Sequence, residues 1–285
     1  MIKILTIDGG GIRGIIPGMV LVMLEDKLQK ASKNPEARIS DYFDFIAGTS
    51  TGGILTCLLL APERESEQTK RKARFSAKQA VELYLQNGKK IFPDSWAKCL
   101  LADIDLIDEK YDFKGLADSM NEYLTDLKLS ELLKPCLIAS YNIQTRSTHF
   151  FGQHKARLYG NPYDFYVKDV CRATSAAPSY FEAAQIKSCS DIDYALIDGG
   201  IFANNPSLCA YAELRKAEGK PSGKDMFMVS FGTGSSKKAY MIEDIKNKAT
   251  LTIIPYLIVM MMSGVADATD FQLQKMFNTV GEGHY

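Results

Sequence analysis

The chain has 285 residues, of which 46% are hydrophobic and 24% are charged, a composition that suits a folded globular protein and excludes a disordered one. Its 34 basic and 34 acidic residues balance, so no net field attracts it to nucleic acid or to an anionic membrane. This length allows one large α/β domain or two small ones.

The first segments of the chain alternate between strand and helix patterns. Ile2 to Ile7 is a short apolar run, rich in β-branched residues, that stops at glycines and predicts a buried parallel strand. Ile15 to Lys30 predicts a helix, with Pro17 near its first turn. Phe43 to Ala47 predicts the second strand, and Thr51 to Leu60 predicts the second helix.

The rest of the chain continues this alternation, with one helical interruption. Further strands are predicted at Cys136 to Tyr141, Ala195 to Ile197 and Phe227 to Phe231. The pattern favours a three-layer α/β/α sandwich around a central, mainly parallel sheet, as a single domain over residues 1–285. Residues 63–129, rich in Lys, Glu, Gln and Leu, predict a helical insertion or cap.

Membrane anchors, export signals and metal sites are not expected. The Met-rich stretch from Leu251 to Ala266 contains Pro255 and is too short to span a bilayer, so we expect a buried helix, as core packing or as the wall of an acyl pocket. Six cysteines are scattered singly, which gives no zinc pattern and suits free thiols in a reducing compartment. Because the apolar run at Ile2 is too short for a signal peptide, we expect a cytoplasmic protein.

A glycine-rich loop, residues 8–14 (DGGGIRG), follows the first predicted strand. Gly9, Gly11 and Gly14 have the spacing of a dinucleotide-binding fingerprint, but the second strand does not end in the acidic residue that would hold a ribose. Asp8 would also repel a pyrophosphate. Consecutive glycines beside a helix N-terminus instead favour backbone N–H groups that hold an oxyanion. A phosphate cradle and a plain tight turn remain as alternatives.

Residues 48–52 (GTSTG) have the G-x-S-x-G pattern of a nucleophile elbow. The pattern lies between a predicted strand and a predicted helix, which is the context that an elbow requires. Ser50 would then occupy a sharp turn, with its hydroxyl exposed at the edge of the sheet. The alternative is that Ser50 is only a helix N-cap in a glycine-rich turn.

A serine nucleophile needs a base to remove its proton. The histidines are His149, His154 and His284, and only the penultimate His284 follows Asp198, as the Ser-Asp-His order would require. We therefore expect no triad, and structural or surface roles for the other two. Asp198 ends an apolar strand, and desolvation there would raise its pKa and make it a better base. The alternative is that Asp198 only caps a turn.

Three segments in this order resemble the patatin-like phospholipase family: the loop 8–14, the elbow 48–52 and the segment Asp198-Gly199-Gly200. The similarity extends to residues 173–178 (ATSAAP), 203–206 (ANNP) and 231–234 (FGTG). It covers roughly residues 1–235, and residues 237–285 carry no recognised family motif.

The resemblance implies an α/β fold like the catalytic core of cytosolic phospholipase A2, with a serine-aspartate dyad, no metal and no cofactor. By this resemblance Ser50 is the nucleophile and Asp198 the base, and Gly10, Gly11 and Arg13 form the oxyanion hole. The acyl-enzyme would be hydrolysed by water that Asp198 activates. The implied activity is that of a phospholipase A, lysophospholipase or esterase acting on phospholipid or other acyl esters at a membrane or micelle surface.

Other functions stay open at this point. One is a catalytically silent binding or storage protein with the patatin fold, and another is acyl transfer to an alcohol other than water. A third is a nucleotide-binding oxidoreductase built on the glycine spacing of the loop. The resemblance also leaves open an activating partner or a signal nucleotide.

Overall fold

The computed structural model describes residues 1–63, 71–83, 120–178, 181–234 and 250–278. Within these ranges, one seven-stranded sheet lies between two layers of helices, which confirms the predicted three-layer α/β/α architecture. Most of the insertion predicted at 63–129 lies outside the described residues, as does His284. The single domain over residues 1–285 therefore stays a prediction.

The sheet is mixed. Its strands are β1 (Ile2–Ile7), β2 (Phe45–Thr49), β3 (Cys136–Asn142), β4 (Ser147–Phe151), β5 (Ala184–Lys187), β6 (Asp193–Asp198) and β7 (Met226–Phe231). The parallel part has the order β3-β2-β1-β7, whereas β4 and β6 pair antiparallel with β3, and β5 pairs antiparallel with β6.

The α-helices of the described residues are α1 (Ile15–Ser32), α2 (Ile39–Tyr42), α3 (Thr51–Leu60), α4 (Gln153–Tyr159), α5 (Val167–Thr174), α6 (Gly200–Ala203), α7 (Ser207–Leu214) and α8 (Thr250–Asn278). The same ranges contain four short 3-10 helices, at Gly11–Gly14, Leu129–Glu131, Asn161–Tyr163 and Gly223–Asp225. The predicted bounds of β1 and α3 are the observed ones. The strand predicted from Phe43 begins two residues later, because α2 ends at Tyr42 and Phe43 caps it.

Alternate residues of the strands face opposite helical layers, as a pleated strand requires. On β1, Leu5 and Ile7 point into the larger core, formed with α1, α3 and α5, while Ile4 points into a second core with α7 and α8. All ten residues of α3 are buried, so the helix that follows the elbow is fixed on all sides. This rigidity holds the loop before it in place.

Helix α8 lies at the surface, so the buried helix expected for residues 251–266 is wrong for its described side chains. Leu257 is 45% exposed and Met261 57%, because α8 is anchored to the second core further along, through Leu273 and Phe277. Within the described ranges, none of the helices combines the length and the apolar character needed to cross a bilayer.

Candidate active site

Ser50 lies in the tight turn between β2 and α3. Its backbone has φ 54° and ψ −122°, a combination that residues other than glycine rarely adopt. The turn is possible because Gly52 has no side chain: a Cβ there would overlap the carbonyl oxygen of Ile7 on the neighbouring strand. The structure thus contains the strand, sharp turn and helix of a nucleophile elbow.

Two details at Ser50 differ from what the sequence led us to expect. Ser50 occupies the N-cap position of α3, but its side chain makes no capping hydrogen bond, so capping does not explain this residue. Ser50 is also only 8% exposed, instead of presenting an exposed hydroxyl. It is covered in part by the glycine loop, since a Cβ on Gly9 would lie 3.2 Å from the Ser50 Cβ.

The pairing of the strands explains how Asp198 reaches Ser50. Along one edge of β3, the first residues up to Ala139 pair with β2, and the next residues, from Ser140, pair with β6; β4 occupies the opposite edge. Because β2 and β6 run in opposite directions, their carboxyl ends meet head to head. Thr49 pairs with Ala139, and Asp198 pairs with Ser140.

In a purely parallel sheet, the carboxyl ends of all strands lie at one edge, where sites form. Strand β6 is antiparallel, so its carboxyl end reaches Ser50 only because β6 stops where β2 stops, on the same edge of β3.

Asp198 is a buried carboxylate, 3% exposed. The Gly200 N–H donates to its Oδ1 at 2.7 Å, and the Ser50 side chain interacts with the same carboxylate and lowers its pKa. Burial raises the pKa of Asp198 from 3.8 to about 6, against the opposing effect of Ser50 and of the Gly200 N–H. Asp198 thus caps a local turn, as the alternative supposed, and contacts Ser50 as well.

Thr174, at the end of α5, holds the elbow in register with β3. Its Oγ1 accepts a hydrogen bond from the Ser50 N–H at 2.9 Å and donates one to the Ala139 carbonyl at 2.6 Å. The side chain is fully buried. Sequence reasoning assigned no role to this residue, and the only signal was its place in the segment 173–178.

The glycine loop is fixed by two later segments of the chain. The Gly9 N–H donates to the Asn204 carbonyl at 3.0 Å, and the Thr233 hydroxyl donates to the Gly9 carbonyl at 2.8 Å. The Thr233 side chain also fills the space where Gly10 would carry a Cβ. These contacts hold the loop beside Ser50, and they disfavour a nucleotide cradle because the Gly9 N–H is already bonded to protein.

Arg13 lies in the 3-10 helix that ends the loop. Its Nη1 donates to the Gly234 carbonyl at 3.2 Å, while its buried Nε has no hydrogen-bond partner among the described residues. Burial lowers the pKa of this guanidinium. Arg13 is thus adjacent to the loop, but the structure directs its hydrogen bond to Gly234 instead of to Ser50 or Asp198.

His149 and His154 have structural surroundings, as predicted. His149 packs against the rings of Phe151, Phe165 and Tyr194, and burial lowers its pKa to about 4. It pairs with Ser140 on the edge of β3 opposite to Asp198. The Nε2 of His154 lies 3.0 Å from Glu213 Oε1 on α7.

Comparisons with known proteins show which family the sequence belongs to. A sequence model of the patatin-like phospholipase family matches residues 5–210. Patatin-like protein 3 of Arabidopsis thaliana is 36% identical over 257 residues, which cover 82% of this chain and 59% of that protein. Patatin-like protein 2 of the same plant is 34% identical over 313 residues, covering 100% of this chain and 74% of that protein.

A third relative, from Solanum tuberosum, carries the name "Probable inactive patatin-3-Kuras 1". It is 32% identical over 297 residues, which cover 98% of this chain and 76% of that protein. This chain therefore spans between 59% and 76% of the length of these three relatives. With a family match over most of its length, the chain belongs to the patatin-like phospholipase family.

Proposed function

We propose that this protein is a lipid acyl hydrolase in which Ser50 is the nucleophile and Asp198 is the general base. The observation that carries the proposal is that Ser50 lies at the turn between β2 and α3 beside the buried carboxylate of Asp198 and interacts with it, which lowers the pKa of Asp198. A nucleophile in contact with its base, at a strained strand-to-helix turn, is the arrangement that acyl transfer requires.

The raised pKa of Asp198 suits this role. At a pKa of about 6 the carboxylate is ionised at neutral pH, yet about 100-fold more basic than at its ordinary value of 3.8. As the Ser50 Oγ attacks the acyl carbonyl carbon, Asp198 accepts the hydroxyl proton and then delivers it to the leaving alcohol. An acyl-enzyme on Ser50 remains.

The second half of the reaction uses the same groups. Asp198 takes a proton from a water molecule, whose oxygen attacks the acyl carbon, and the proton returns to Ser50 as the fatty acid leaves. In both halves the tetrahedral intermediate carries a negative oxygen. We assign the N–H groups of Gly10 and Gly11 as the donors to this oxygen. The positive charge of Arg13 and the N-terminus of α3 stabilise its negative charge further.

An apolar face on α1 supports contact with a lipid surface. Ile16, Met19, Val20 and Met23, between 39% and 60% exposed, are spaced to form one face of the helix, the α1 stripe. Ile16 lies 3.5 Å from where a Cβ on Gly234 would be, and Arg13 bonds to Gly234. The stripe thus starts beside the loop, and we propose that it enters the lipid layer.

The function is tested with a panel of lipids and three variants. We expect Ser50→Ala and Asp198→Asn each to lower the release of fatty acid from phosphatidylcholine vesicles at least about 1000-fold. Ser188→Ala removes a buried serine from the turn between β5 and β6, at the opposite end of β6 from Asp198, and is the matched control, expected to keep its activity. Full activity in Ser50→Ala would contradict the proposal, and so would an inactive wild type that a fluorophosphonate does not label.

A further inference from the structure

The space beside Asp198 is shaped by Gly200, which has no side chain to fill it. The Gly200 N–H donates to Asp198 Oδ1 at 2.7 Å. A Cβ on Gly200 would lie 3.2 Å from this Oδ1 and 2.7 Å from the Cε atom of Met262, on α8. The Met262 methyl group thus fills the space that Gly200 leaves open, and it is separated from the carboxylate by at most the sum of these two distances.

Met262 reaches this position from the face of α8 that packs on the protein. Thr269 and Leu273, seven and eleven residues further along, follow Met262 by about two and three turns and share its face. Both are buried, at 7% and 0% exposure. Met262 itself is half-buried, whereas the side chain of the adjacent Met261 is 57% exposed. The register of the helix therefore places Met262, and not Met261, beside Gly200.

Other sides of Asp198 are closed by backbone groups. The Asp198 N–H donates to the Ala176 carbonyl at 2.9 Å, and a Cβ on Gly199 would lie 2.5 Å from the carbonyl carbon of Ala139, on β3. These groups are held in place by the sheet and the core. Met262 is only half-buried, and methionine is unbranched, with three rotatable side-chain bonds. A ligand that approaches the carboxylate can therefore displace the Met262 side chain more easily than the backbone.

The proposed reaction places the leaving alcohol on this side of the acyl carbon. In the tetrahedral intermediate, that carbon carries Ser50 Oγ, the negative oxygen, the leaving oxygen and the acyl chain. The negative oxygen points to the donors of the glycine loop. The leaving oxygen must approach Asp198, because Asp198 passes to it the proton taken from Ser50. The acyl chain takes the remaining direction, so the group that meets Met262 is the alcohol.

We propose that Met262 is a specificity-determining residue that limits the size of the leaving alcohol at the carbon next to the ester oxygen. A primary alcohol fits beside the Met262 methyl group, whereas the second carbon branch of a secondary alcohol has to displace it. In a glycerolipid the two end positions are esters of primary alcohols and the middle position is an ester of a secondary alcohol, so Met262 favours the end positions. This inference rests on the proposed hydrolase function.

Two pairs of soluble esters test the inference on the full chain. The alcohol pair is 2-propyl octanoate and ethyl octanoate, and the acyl pair is ethyl butyrate and ethyl octanoate. Release of fatty acid gives kcat/KM for each ester, and the ratio within each pair is compared between a variant and wild type, so that intrinsic differences in ester reactivity cancel. We expect Met262→Ala to raise the 2-propyl to ethyl ratio at least about threefold and to change the butyrate to octanoate ratio less than that.

Further variants separate the size of the side chain from other effects. Met262→Leu keeps a similar volume, so its 2-propyl to ethyl ratio should stay near that of wild type. Met262→Trp fills more of the space and should lower this ratio at least about threefold. Met261→Ala truncates the neighbouring, exposed methionine and is the matched control, expected to keep both ratios. Thermal unfolding verifies that each variant is folded, and a general loss of activity leaves both ratios unchanged.

The outcomes distinguish this inference from the proposed function. If wild type is active and folded Met262→Ala raises the 2-propyl to ethyl ratio by less than about threefold, the inference is overturned and the hydrolase stands. An equal shift of the butyrate to octanoate ratio, or an equal shift in Met261→Ala, would overturn it as well. A wild type that hydrolyses none of the esters and is not labelled by a fluorophosphonate would contradict the proposed function, and the role of Met262 with it.

Discussion

The dependence of activity on pH follows directly from the burial of Asp198. In the proposed mechanism only the ionised carboxylate of Asp198 accepts the Ser50 proton, so the rate should follow the titration of Asp198. With a pKa of about 6, the ionised fraction falls from about 91% at pH 7 to about 9% at pH 5, a tenfold loss. An exposed carboxylate at its ordinary value of 3.8 would still be about 94% ionised at pH 5.

The assay is kcat/KM for a soluble p-nitrophenyl ester, because this ratio reports the pKa of the free enzyme. Thr174→Val is the informative control. It removes the side chain that bonds the Ser50 N–H, so the rate should fall, but the midpoint should stay because Asp198 keeps its surroundings. A wild-type rate that stays flat from pH 7 to pH 5, with circular dichroism showing folded protein, would refute the reasoning.

Three further predictions concern docking, burial and packing. The double substitution Met19→Gln with Met23→Gln removes half-exposed apolar surface from the α1 stripe, so it should weaken binding to phosphatidylcholine vesicles about tenfold in a sedimentation assay. Unchanged binding would refute this. Because the pKa of Asp8 is raised to about 8 in the folded protein, the stability that its protonated form provides is present at low pH and lost as pH rises to 8. The unfolding temperature of Asp8→Asn should therefore fall less between pH 6 and pH 8 than the unfolding temperature of wild type. Equal falls in the two proteins would contradict this. Gly52→Ala should lower the free energy of unfolding, measured in urea, by about 3 kcal/mol, because the added Cβ would overlap a backbone carbonyl. Gly264→Ala is the control and should not destabilise the protein, because a Cβ there would meet open space. Equal effects of the two substitutions would count against the packing argument.

The elements next to Ser50 were readable from the sequence because their signals are local. An apolar run that stops at glycines gave β1, and a G-x-S-x-G pattern before an apolar run gave α3. Strands β4 and β5 were missed. Strand β5 has only four residues, and β4 begins with polar ones, so neither run is long enough for its alternation to stand out.

The contacts that assemble the site were not readable, because they join distant residues. The orientation of β6 is decided by its partner β3, so nothing local to residues 193–198 indicates an antiparallel strand. Thr174 is 124 positions from Ser50, and Thr233 is 224 positions from Gly9. The surface position of α8 was also missed, since a Met-rich run has the same composition in a core as on an exposed helix.

The central claim is that Ser50 carries the acyl group during hydrolysis. Mass spectrometry of the protein quenched during turnover of a long-chain ester, followed by peptide mapping, tests this most directly. The account predicts a single acyl adduct on the peptide that contains Ser50, and no adduct in Ser50→Ala. Steady hydrolysis with the acyl group on another residue, or with no adduct on Ser50 under conditions where deacylation limits the rate, would contradict it.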